Sequence, residues 1–202
     1  MNVLAIGSHP DDIEFGCAGT LIKHVDNGDF VHILCMSGNI QRRSYSIRAS
    51  ALIGASIEIL DYEDGEVPFN KETINRIESI ITQYNIDTIY THWTHDTHQD
   101  HINTVNASLA AGRHINNFFC YEQVPLPRVG IDYPKVNYYV DITDVFDYKI
   151  MVCKEHFGEI VKFNSRNQDI LEYTTDMAKY RGNQIGVKYA EAFSVLKMKS
   201  EL

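Results

Sequence analysis

Val3-Leu4-Ala5-Ile6-Gly7-Ser8-His9-Pro10-Asp11-Asp12-Ile13-Glu14 is the stretch of this sequence that decides the fold. It begins as a short apolar run with β-branched members and then meets glycine and proline, a pattern that predicts a buried strand. The part that follows the strand packs one imidazole and three carboxylic acids into the six residues from His9 to Glu14. A helix-compatible segment starts at Phe15. The acidic loop therefore lies at the carboxyl end of a strand, which is where open α/β sheets bind ligands.

Outward from this loop, strands and helices alternate as far as about residue 113. Further strands are predicted over about residues 30–36, 56–61 and 86–92, and helices over about residues 15–27, 41–53, 71–84 and 100–113. Such alternation predicts an α/β protein with a mostly parallel sheet flanked by helices. Because crossovers between parallel strands are right-handed, the default arrangement is a doubly wound, Rossmann-like sheet.

Beyond residue 113 the pattern is less regular, and we predict an irregular C-terminal part. It contains possible strands at 118–121, 137–142 and 193–196, a helix over about 143–163, and a poorly patterned polar stretch at 164–188. The three prolines between Pro125 and Pro134 predict an exposed loop. With no obvious linker or repeat, residues 1–202 are expected to form a single domain.

Composition narrows the class of protein. A formal net charge of −9 without a basic stripe argues against a nucleic-acid partner. The four cysteines are widely spaced and form no CxxC pair, so they are expected to be buried thiols of a reducing compartment. No apolar run is long enough to cross a bilayer, and the start of the chain lacks the features of a signal peptide. We therefore expect a cytoplasmic protein without a membrane partner.

A second loop carries a concentration of imidazoles. Four of the nine histidines fall between His92 and His101, again after a predicted strand. Because the carboxyl ends of parallel strands open onto one edge of a sheet, this loop can meet His9 and Asp12. Imidazole and carboxylate are ligands of catalytic zinc, in which three protein ligands leave a position open for water. Two histidines and one carboxylate also suit non-haem iron(II), so the residues alone predict a metal site with the metal left open.

The two loops resemble the motifs of a known family. The segment from His9 to Leu21 is similar to the HPDDxExGxGGTL opening motif of the PIG-L/LmbE-like zinc deacetylases. The segment from Asp96 to His101 resembles their DxHPDH motif, with Gln99 in place of the proline. Weaker similarities lie at Arg42, Tyr45, Ala49 and Gly54 (RxxExxxAxxxLG), at Tyr121-Glu122, and at Arg181-Gly182 with Tyr189-Ala190-Glu191-Ala192-Phe193. Tyr45 stands where the family has a glutamate near the substrate side.

This resemblance implies an LmbE-like fold, an activity and a set of site residues. It implies one Zn²⁺ per chain held by His9, Asp12 and His101, with Fe²⁺ as the other metal to consider. It implies Asp11 as the general base and His98 as a second catalytic group that, when protonated, shares the charge of the oxyanion. Substrate contacts are expected first at Arg42 and more weakly at Glu14 and Asp100, although Glu14 suits a brace of the metal loop and Asp100 an orienting partner or a helix cap.

The implied function is removal of an N-acetyl group from an N-acetylglucosamine-type substrate, an amino-sugar conjugate of small size. Relatives in this family are commonly homo-oligomers, so a trimer or hexamer is expected. One alternative is an amidase that cleaves a larger amide conjugate. Another is a non-catalytic, Rossmann-like ligand-binding protein. Against nucleotide binding, Asp11 and Asp12 occupy the turn where a glycine-rich phosphate loop would be required.

Overall fold

The computed structural model describes residues 1–125 and 135–199. Its strands are β1 (Asn2–Gly7), β2 (Phe30–Ser37), β3 (Ser56–Tyr62), β4 (Thr88–Thr91), β5 (Asn117–Tyr121), β6 (Tyr138–Asp141) and β7 (Ala190–Lys197). Its helices are α1 (Asp12–Asp26), α2 (Ile40–Ile53), α3 (Lys71–Gln83), α4 (Gln99–Ala111), α5 (Phe146–Lys154), α6 (Phe157–Asn164) and α7 (Ile170–Ile185).

The strands form one sheet in the order β3-β2-β1-β4-β5-β7-β6. The first five are parallel, and β7 runs antiparallel to both of its neighbours. The prediction of a mostly parallel, Rossmann-like sheet is confirmed. Because β1 pairs with β2 on one side and β4 on the other, the strand order reverses between β1 and β4. The loops after these two strands therefore flank the crevice at which such sheets bind ligands.

Apolar side chains of β1 point alternately into two cores, one on each face of the sheet. Val3 and Ala5 belong to the core covered by α1 and α2, whereas Leu4 and Ile6 belong to the core covered by α3 and α4. All four are completely buried. A valine, leucine or isoleucine side chain contributes roughly 1.5–3 kcal/mol when it is fully buried, so Val3, Leu4 and Ile6 hold this strand firmly. It is a rigid base for the loop that follows it.

A close contact fixes the start of α1 over the sheet. A Cβ atom added to Gly16 would lie 2.6 Å from the ring of Tyr121, so only glycine permits this approach. The Tyr121 hydroxyl also donates a hydrogen bond of 3.0 Å to the carbonyl oxygen of Ile6. The helix is kinked one residue later, at Cys17, where φ is −147° and ψ is 18°. The N-terminal turn of α1 is thereby held against the ends of β1 and β5.

The single helix predicted over about 143–163 is wrong, because the structure divides it into α5 and α6. The break falls at Glu155 and His156, and His156 has φ −82° and ψ 52°, outside the helical region. Its side chain is almost completely buried, with Nε2 3.2 Å from Oε1 of the buried Glu14. Turning this imidazole inward interrupts the helix.

The C-terminal part is more regular than predicted, because the polar stretch at 164–188 contains α7. The buried face of this helix includes Ile170, Thr174, Ala178 and Arg181, which recur at helical spacing. Two of the four are polar, and the Arg181 Nε atom donates to Glu122 over 2.7 Å. A buried face that is half polar gives little hydrophobic periodicity, so the sequence pattern did not indicate it.

Two further expectations concern loops and membranes. Apart from Pro125, the loop predicted between Pro125 and Pro134 lies outside the described residues. None of the helices within residues 1–125 and 135–199 has both the length and the apolar character of a membrane span.

Candidate functional site

The two sequence motifs lie side by side at the carboxyl ends of β1 and β4. The first loop leads from Gly7 into α1, and the second leads from Thr91 into α4. Asp11 precedes α1 with φ 116° and ψ −29°, in the left-handed region that non-glycine residues rarely adopt. Backbone strain of this kind costs on the order of 1–3 kcal/mol and is concentrated at functional sites. It sets the turn that brings Asp11 and Asp12 to the edge of the sheet.

His9, Asp12 and His101 converge from the two loops. Nitrogen or carboxylate oxygen atoms of the three residues all lie within 4.8 Å of one another. The His9 Nδ1 atom is 3.4 Å from one Asp12 oxygen, and the His101 Nε2 atom is 3.5 Å from the other. All three side chains are buried. The structure therefore brings together the three residues that the sequence predicted as metal ligands.

The other ring nitrogen of each histidine contacts a second carboxylate. His9 Nε2 lies 3.0 Å from an Asp100 oxygen, and His101 Nδ1 lies 2.9 Å from an Asp96 oxygen. Metal-binding histidines almost always donate their other ring N–H to a carboxylate, a backbone carbonyl or water, and this partner fixes the tautomer and the ring orientation. The donor set of two imidazoles and one carboxylate, oriented by two further carboxylates, fits a zinc ion. It fits iron(II) equally by ligand type.

A second group of possible ligands, His9, His98 and Asp100, also meets the distance requirement. The Asp100 carboxylate is already occupied, since it accepts from the backbone N–H groups of Gly65 (2.6 Å) and Val67 (3.2 Å) as well as contacting His9. Its side chain is completely buried. We therefore assign Asp100 to orienting His9 and holding the loop around Gly65.

Asp11 and Arg42 meet at the wall of a cavity of about 330 Å³. The Arg42 Nη2 atom lies 3.2 Å from Asp11 Oδ1 and 3.1 Å from the carbonyl oxygen of Pro10, and Nη1 pairs with Asp64. Burial and the neighbouring Asp12 charge raise the pKa of Asp11 to about 7, against the opposing effect of Arg42. A carboxyl group in this range can take up and release a proton near neutral pH.

His98 lies at the N-terminal end of α4 and lines the same cavity. Its Nδ1 atom accepts a hydrogen bond of 3.2 Å from the backbone N–H of Asp100, and its ring centroid is 4.8 Å from that of His9. Burial and the charge of His101 lower the pKa of His98. With Nδ1 accepting this hydrogen bond, the neutral ring carries its proton on Nε2, and the protonated form of His98 during catalysis stays a prediction.

The charges at the centre favour an ionised Asp12. Burial opposes the charge, but the imidazoles of His101 and His92 hold the pKa of Asp12 well below its usual range. For His9, burial is outweighed by hydrogen bonding to Asp12 and the nearby carboxylates, which raise the pKa to about 9. Without a metal, the protonated imidazole of His9 thus neutralises part of the negative charge of the acidic loop. A metal cation can supply that positive charge instead.

Two residues near Asp12 received no role in the sequence analysis. His92 is completely buried, accepts from the backbone N–H of Ser8 (2.9 Å), and stacks on His101 with centroids 4.0 Å apart. Gln123 donates from Nε2 to the Asp12 carboxylate over 3.1 Å and lines the cavity. His92 could have been suspected because it is the last residue of a predicted strand, whereas nothing local in the sequence indicates Gln123.

The predicted substrate contacts separate into two groups. Arg42 lines the cavity, as expected for a contact. Glu14 and Asp100 do not, and both are buried, Glu14 against His156 and Asp100 against His9. Their positions do not support a substrate role, because a ligand in the cavity would not reach them. The alternative predicted for each, a brace for Glu14 and an orienting partner for Asp100, agrees with their contacts.

Comparison with known proteins extends the likeness to most of the chain. The chain is 28% identical over 221 residues to the diacetylchitobiose deacetylase of Thermococcus kodakarensis, an alignment that covers 94% of this chain and 80% of that one. The N,N'-diacetylchitobiose deacetylase from Pyrococcus horikoshii shares the fold with a TM-score of 0.80 at 22% identity, over 96% of this chain and 83% of that one.

The 4-carboxy-2-hydroxymuconate hydratase from Pseudomonas putida KT2440 also shares the fold, with a TM-score of 0.81 at 18% identity, over 100% of this chain and 99% of that one. Since this fold carries both a deacetylase and a hydratase, the fold alone does not decide the reaction. Residues 4–112, which include both loops and the helices that follow them, match the family model described as PIG-L: GlcNAc-PI de-N-acetylase. The chain belongs to this PIG-L family.

Proposed function

We propose that this protein is a zinc-dependent hydrolase that removes the N-acetyl group from an N-acetylglucosamine-type substrate. One observation carries the proposal. His9, Asp12 and His101 face one another, each imidazole is oriented by a carboxylate, and Asp11 lies beside them at a cavity wall. The family match and the similarity to a diacetylchitobiose deacetylase support deacetylation of an N-acetylated sugar.

His9, Asp12 and His101 would hold the ion, and Asp96 and Asp100 would keep the two imidazoles in the orientation and tautomer that binding needs. When bound, zinc polarises a carbonyl group and lowers the pKa of water from about 15.7 to roughly 7. Three protein ligands leave room for water and substrate, as in other catalytic zinc sites.

Asp11 supplies the proton transfer. It is adjacent to Asp12 in the chain but outside the ligand group, so its carboxylate remains available as a base. It accepts a proton from the attacking water and later delivers that proton to the departing amine, so acetate and a free amine result. Arg42 holds Asp11 by an ion pair of 3.2 Å, which limits the directions in which the carboxylate can turn.

His98 stabilises the negative charge that develops on the carbonyl oxygen. Its Nδ1 atom accepts from the N–H of Asp100, so its Nε2–H is the available donor. A hydrogen bond that is fixed before the reaction and strengthens in the transition state is typically a large catalytic contribution. A neutral imidazole with its proton on Nε2 can fill this role, and burial and the charge of His101 lower the pKa of His98.

The test is acetate release from a panel of N-acetylated sugars by zinc-loaded protein. We expect release from substrates with an N-acetylglucosamine unit, loss of activity with a chelator, and recovery on addition of zinc. Recovery with iron(II) alone would reassign the metal. Absence of acetate from the whole panel, with cleavage of a larger amide, would favour the amidase alternative. Tight ligand binding without any turnover would contradict the proposal.

The proposal also covers the domain organisation, the cellular location, the substrate size and the assembly that the sequence predicts. We propose a single-domain, cytoplasmic enzyme that acts on a small amino-sugar conjugate and assembles as a homo-oligomer, a trimer or hexamer. The assembly is the one expected from the resemblance of the sequence to this family. Light scattering on the purified protein measures it directly, and a monomer at micromolar concentration would contradict it.

A further inference from the structure

Helix α1 is interrupted just after the turn that carries Asp11 and Asp12. Cys17 has non-helical dihedral angles and divides the helix into a short first segment, residues 12–16, and a longer second segment. A break of this kind leaves some backbone carbonyl oxygens and N–H groups without helical partners, as at a helix end. Residues 12–22 are all buried, so these groups need partners from the protein itself. Two charged side chains from the C-terminal part supply them.

Glu191 of β7 accepts hydrogen bonds at the start of the second segment. Its Oε1 atom accepts from the backbone N–H of Gly19 over 2.9 Å. Its Oε2 atom accepts from the backbone N–H of Thr20 over 2.7 Å and from the Thr20 hydroxyl over 2.6 Å. A Cβ atom added to Gly19 would lie 3.0 Å from Oε1, so glycine leaves room for the carboxylate. Glu191 therefore caps the second segment from a strand 172 residues away in sequence.

Lys149 of α5 binds both the end of the first segment and the capping carboxylate. Its Nζ atom donates to the carbonyl oxygen of Phe15 over 2.9 Å and to Oε1 of Glu191 over 2.5 Å. Burial opposes the charge of Lys149, but Glu191 raises its pKa above the ordinary value, so the ammonium group stays charged. One turn later on α5, the Cys153 thiol donates to the carbonyl oxygen of Glu14 over 3.4 Å. Helix α5 thus holds two consecutive carbonyl groups of the first segment.

The first segment connects these contacts to the candidate site. The backbone N–H of Phe15 donates to the carbonyl oxygen of Asp11 over 3.0 Å, and the carbonyl oxygen of Phe15 accepts from Lys149. Only two hydrogen bonds therefore separate the Lys149 ammonium group from the backbone of Asp11. With φ at 116°, Asp11 has a strained backbone, which persists only where the surrounding structure holds it. The Lys149–Glu191 pair is part of the structure that holds this turn.

From these contacts we propose that Lys149 and Glu191 are positioning residues for the proposed reaction. They fix the first segment of α1 so that Asp11 and Asp12 face the cavity in the geometry that proton transfer and metal binding need. Both lie outside the wall of that cavity, so they act through the backbone and not on the substrate. A buried ion pair is often no more stabilising than apolar side chains of similar volume, which favours a role in geometry over one in stability. The inference rests on the proposed function and adds two residues to it.

The test uses the double variant Lys149→Met/Glu191→Gln, which removes both charges and leaves neither of them buried without a partner. With zinc bound, its kcat for acetate release should fall by about 10–100-fold per bound zinc, because small misplacements far from the chemistry have effects of this size. KM should change little. Cobalt(II) binds the same nitrogen and oxygen ligands, and its visible absorption spectrum reports their geometry. The spectrum of the cobalt-loaded variant should differ from that of the unmodified protein.

Lys23→Met is the matched control, because Lys23 lies on the second segment of the same helix and pairs at the surface with Asp144 over 2.8 Å. It removes an ion pair that does not touch the interruption, so kcat and the cobalt spectrum should stay unchanged. Gly19→Ala disturbs the cap without removing a charge, because its Cβ atom would lie 3.0 Å from Oε1 of Glu191. It should change the cobalt spectrum and lower kcat in the same direction as the double variant, and it decides the question if the double variant does not fold.

A folded double variant with unchanged kcat per zinc and an unchanged cobalt spectrum would overturn the positioning role, even if its free energy of unfolding were lower. Equal losses in Lys23→Met would also overturn it, since any lost ion pair would then have the same effect. Absence of acetate from every sugar with the unmodified protein would contradict the proposed function, whereas the cobalt spectra would still decide whether the pair positions the ligands. Absence of cobalt binding by the unmodified protein would overturn both.

Discussion

The two ends of the central sheet carry the same kinds of side chain and differ in how these are paired. At the carboxyl end, imidazoles from two loops surround Asp12, and a cavity opens beside them. His9 and His101 each use one ring nitrogen for an outer carboxylate and turn the other toward Asp12. At the amino end, His24 and His32 each contact separate neighbouring side chains and do not surround a shared carboxylate.

The amino end shows what ordinary structural histidines look like in this molecule. His24 contacts Asp29 over 2.7 Å with one nitrogen and the Tyr90 hydroxyl over 3.0 Å with the other. His32 contacts Ser56 over 2.8 Å and lies against the ring of Tyr84, with centroids 4.6 Å apart. Neither histidine is part of a group of three possible metal ligands among the described residues.

The difference follows from topology. The strand order reverses between β1 and β4, so at the carboxyl end the two following loops separate and leave a crevice that their side chains can fill. The same residue types therefore act as ordinary pairs at one edge and as a candidate metal centre at the other. Four predictions test this contrast, and two of them compare a change at one end with its counterpart at the other.

The largest effect is expected for His101→Ala. Loss of this imidazole should abolish stoichiometric zinc binding and reduce acetate release by on the order of a thousandfold or more, because water then keeps its ordinary pKa. His24→Ala at the amino end should retain both zinc and turnover. Metal analysis and kinetics on the two folded variants give the answer. If both variants lost zinc and turnover to the same extent, the proposed difference between the two ends of the sheet would be wrong.

Asp11→Asn separates proton transfer from metal binding. The variant should keep one zinc per chain and lose about 10²–10⁴-fold in kcat, because the base is gone while the ligand group remains. KM should change little. Zinc content measured on the same sample as kcat is essential here. Normal turnover by the variant would show that another group accepts the proton.

At the amino end of the sheet, the titration of His32 is expected to make the stability of the protein depend on pH. Burial lowers the pKa of His32 to about 4, below its ordinary value of 6.5, so the unfolded chain binds the proton first as the pH falls. The free energy of unfolding should therefore drop between about pH 6.5 and pH 4, by roughly 3 kcal/mol from this group. Denaturant unfolding at both pH values should show a smaller drop for His32→Phe. Parallel losses in the two proteins would contradict the assignment.

The smallest effect is expected when the carboxylate that pairs with a histidine is replaced by an amide. Asp96→Asn should weaken zinc binding by about 10–100-fold, because Asp96 orients His101. Asp29→Asn removes the equivalent partner of His24 and should leave zinc affinity unchanged. Competition with a chromophoric chelator measures both. A similar loss of zinc affinity in both variants would indicate a general effect on stability instead of a specific orienting role.

Much of this site is readable from the sequence because its information is local. Residues His9 to Asp12 and Asp96 to His101 are contiguous, and alternation of strands and helices is enough to place both loops at one edge. His92 escaped assignment because its partner Ser8 lies 84 residues away. The helix α7 escaped because Arg181 and Thr174 lie on its buried face, where a helix normally shows apolar residues.

Anomalous diffraction at the zinc edge, from crystals of zinc-loaded protein, tests the central claim most directly. The account predicts one strong peak within coordination distance of His9 Nδ1, an Asp12 carboxylate oxygen and His101 Nε2. A zinc-saturated crystal with no peak among these atoms, or with a peak bound by only one of the two loops, would contradict it.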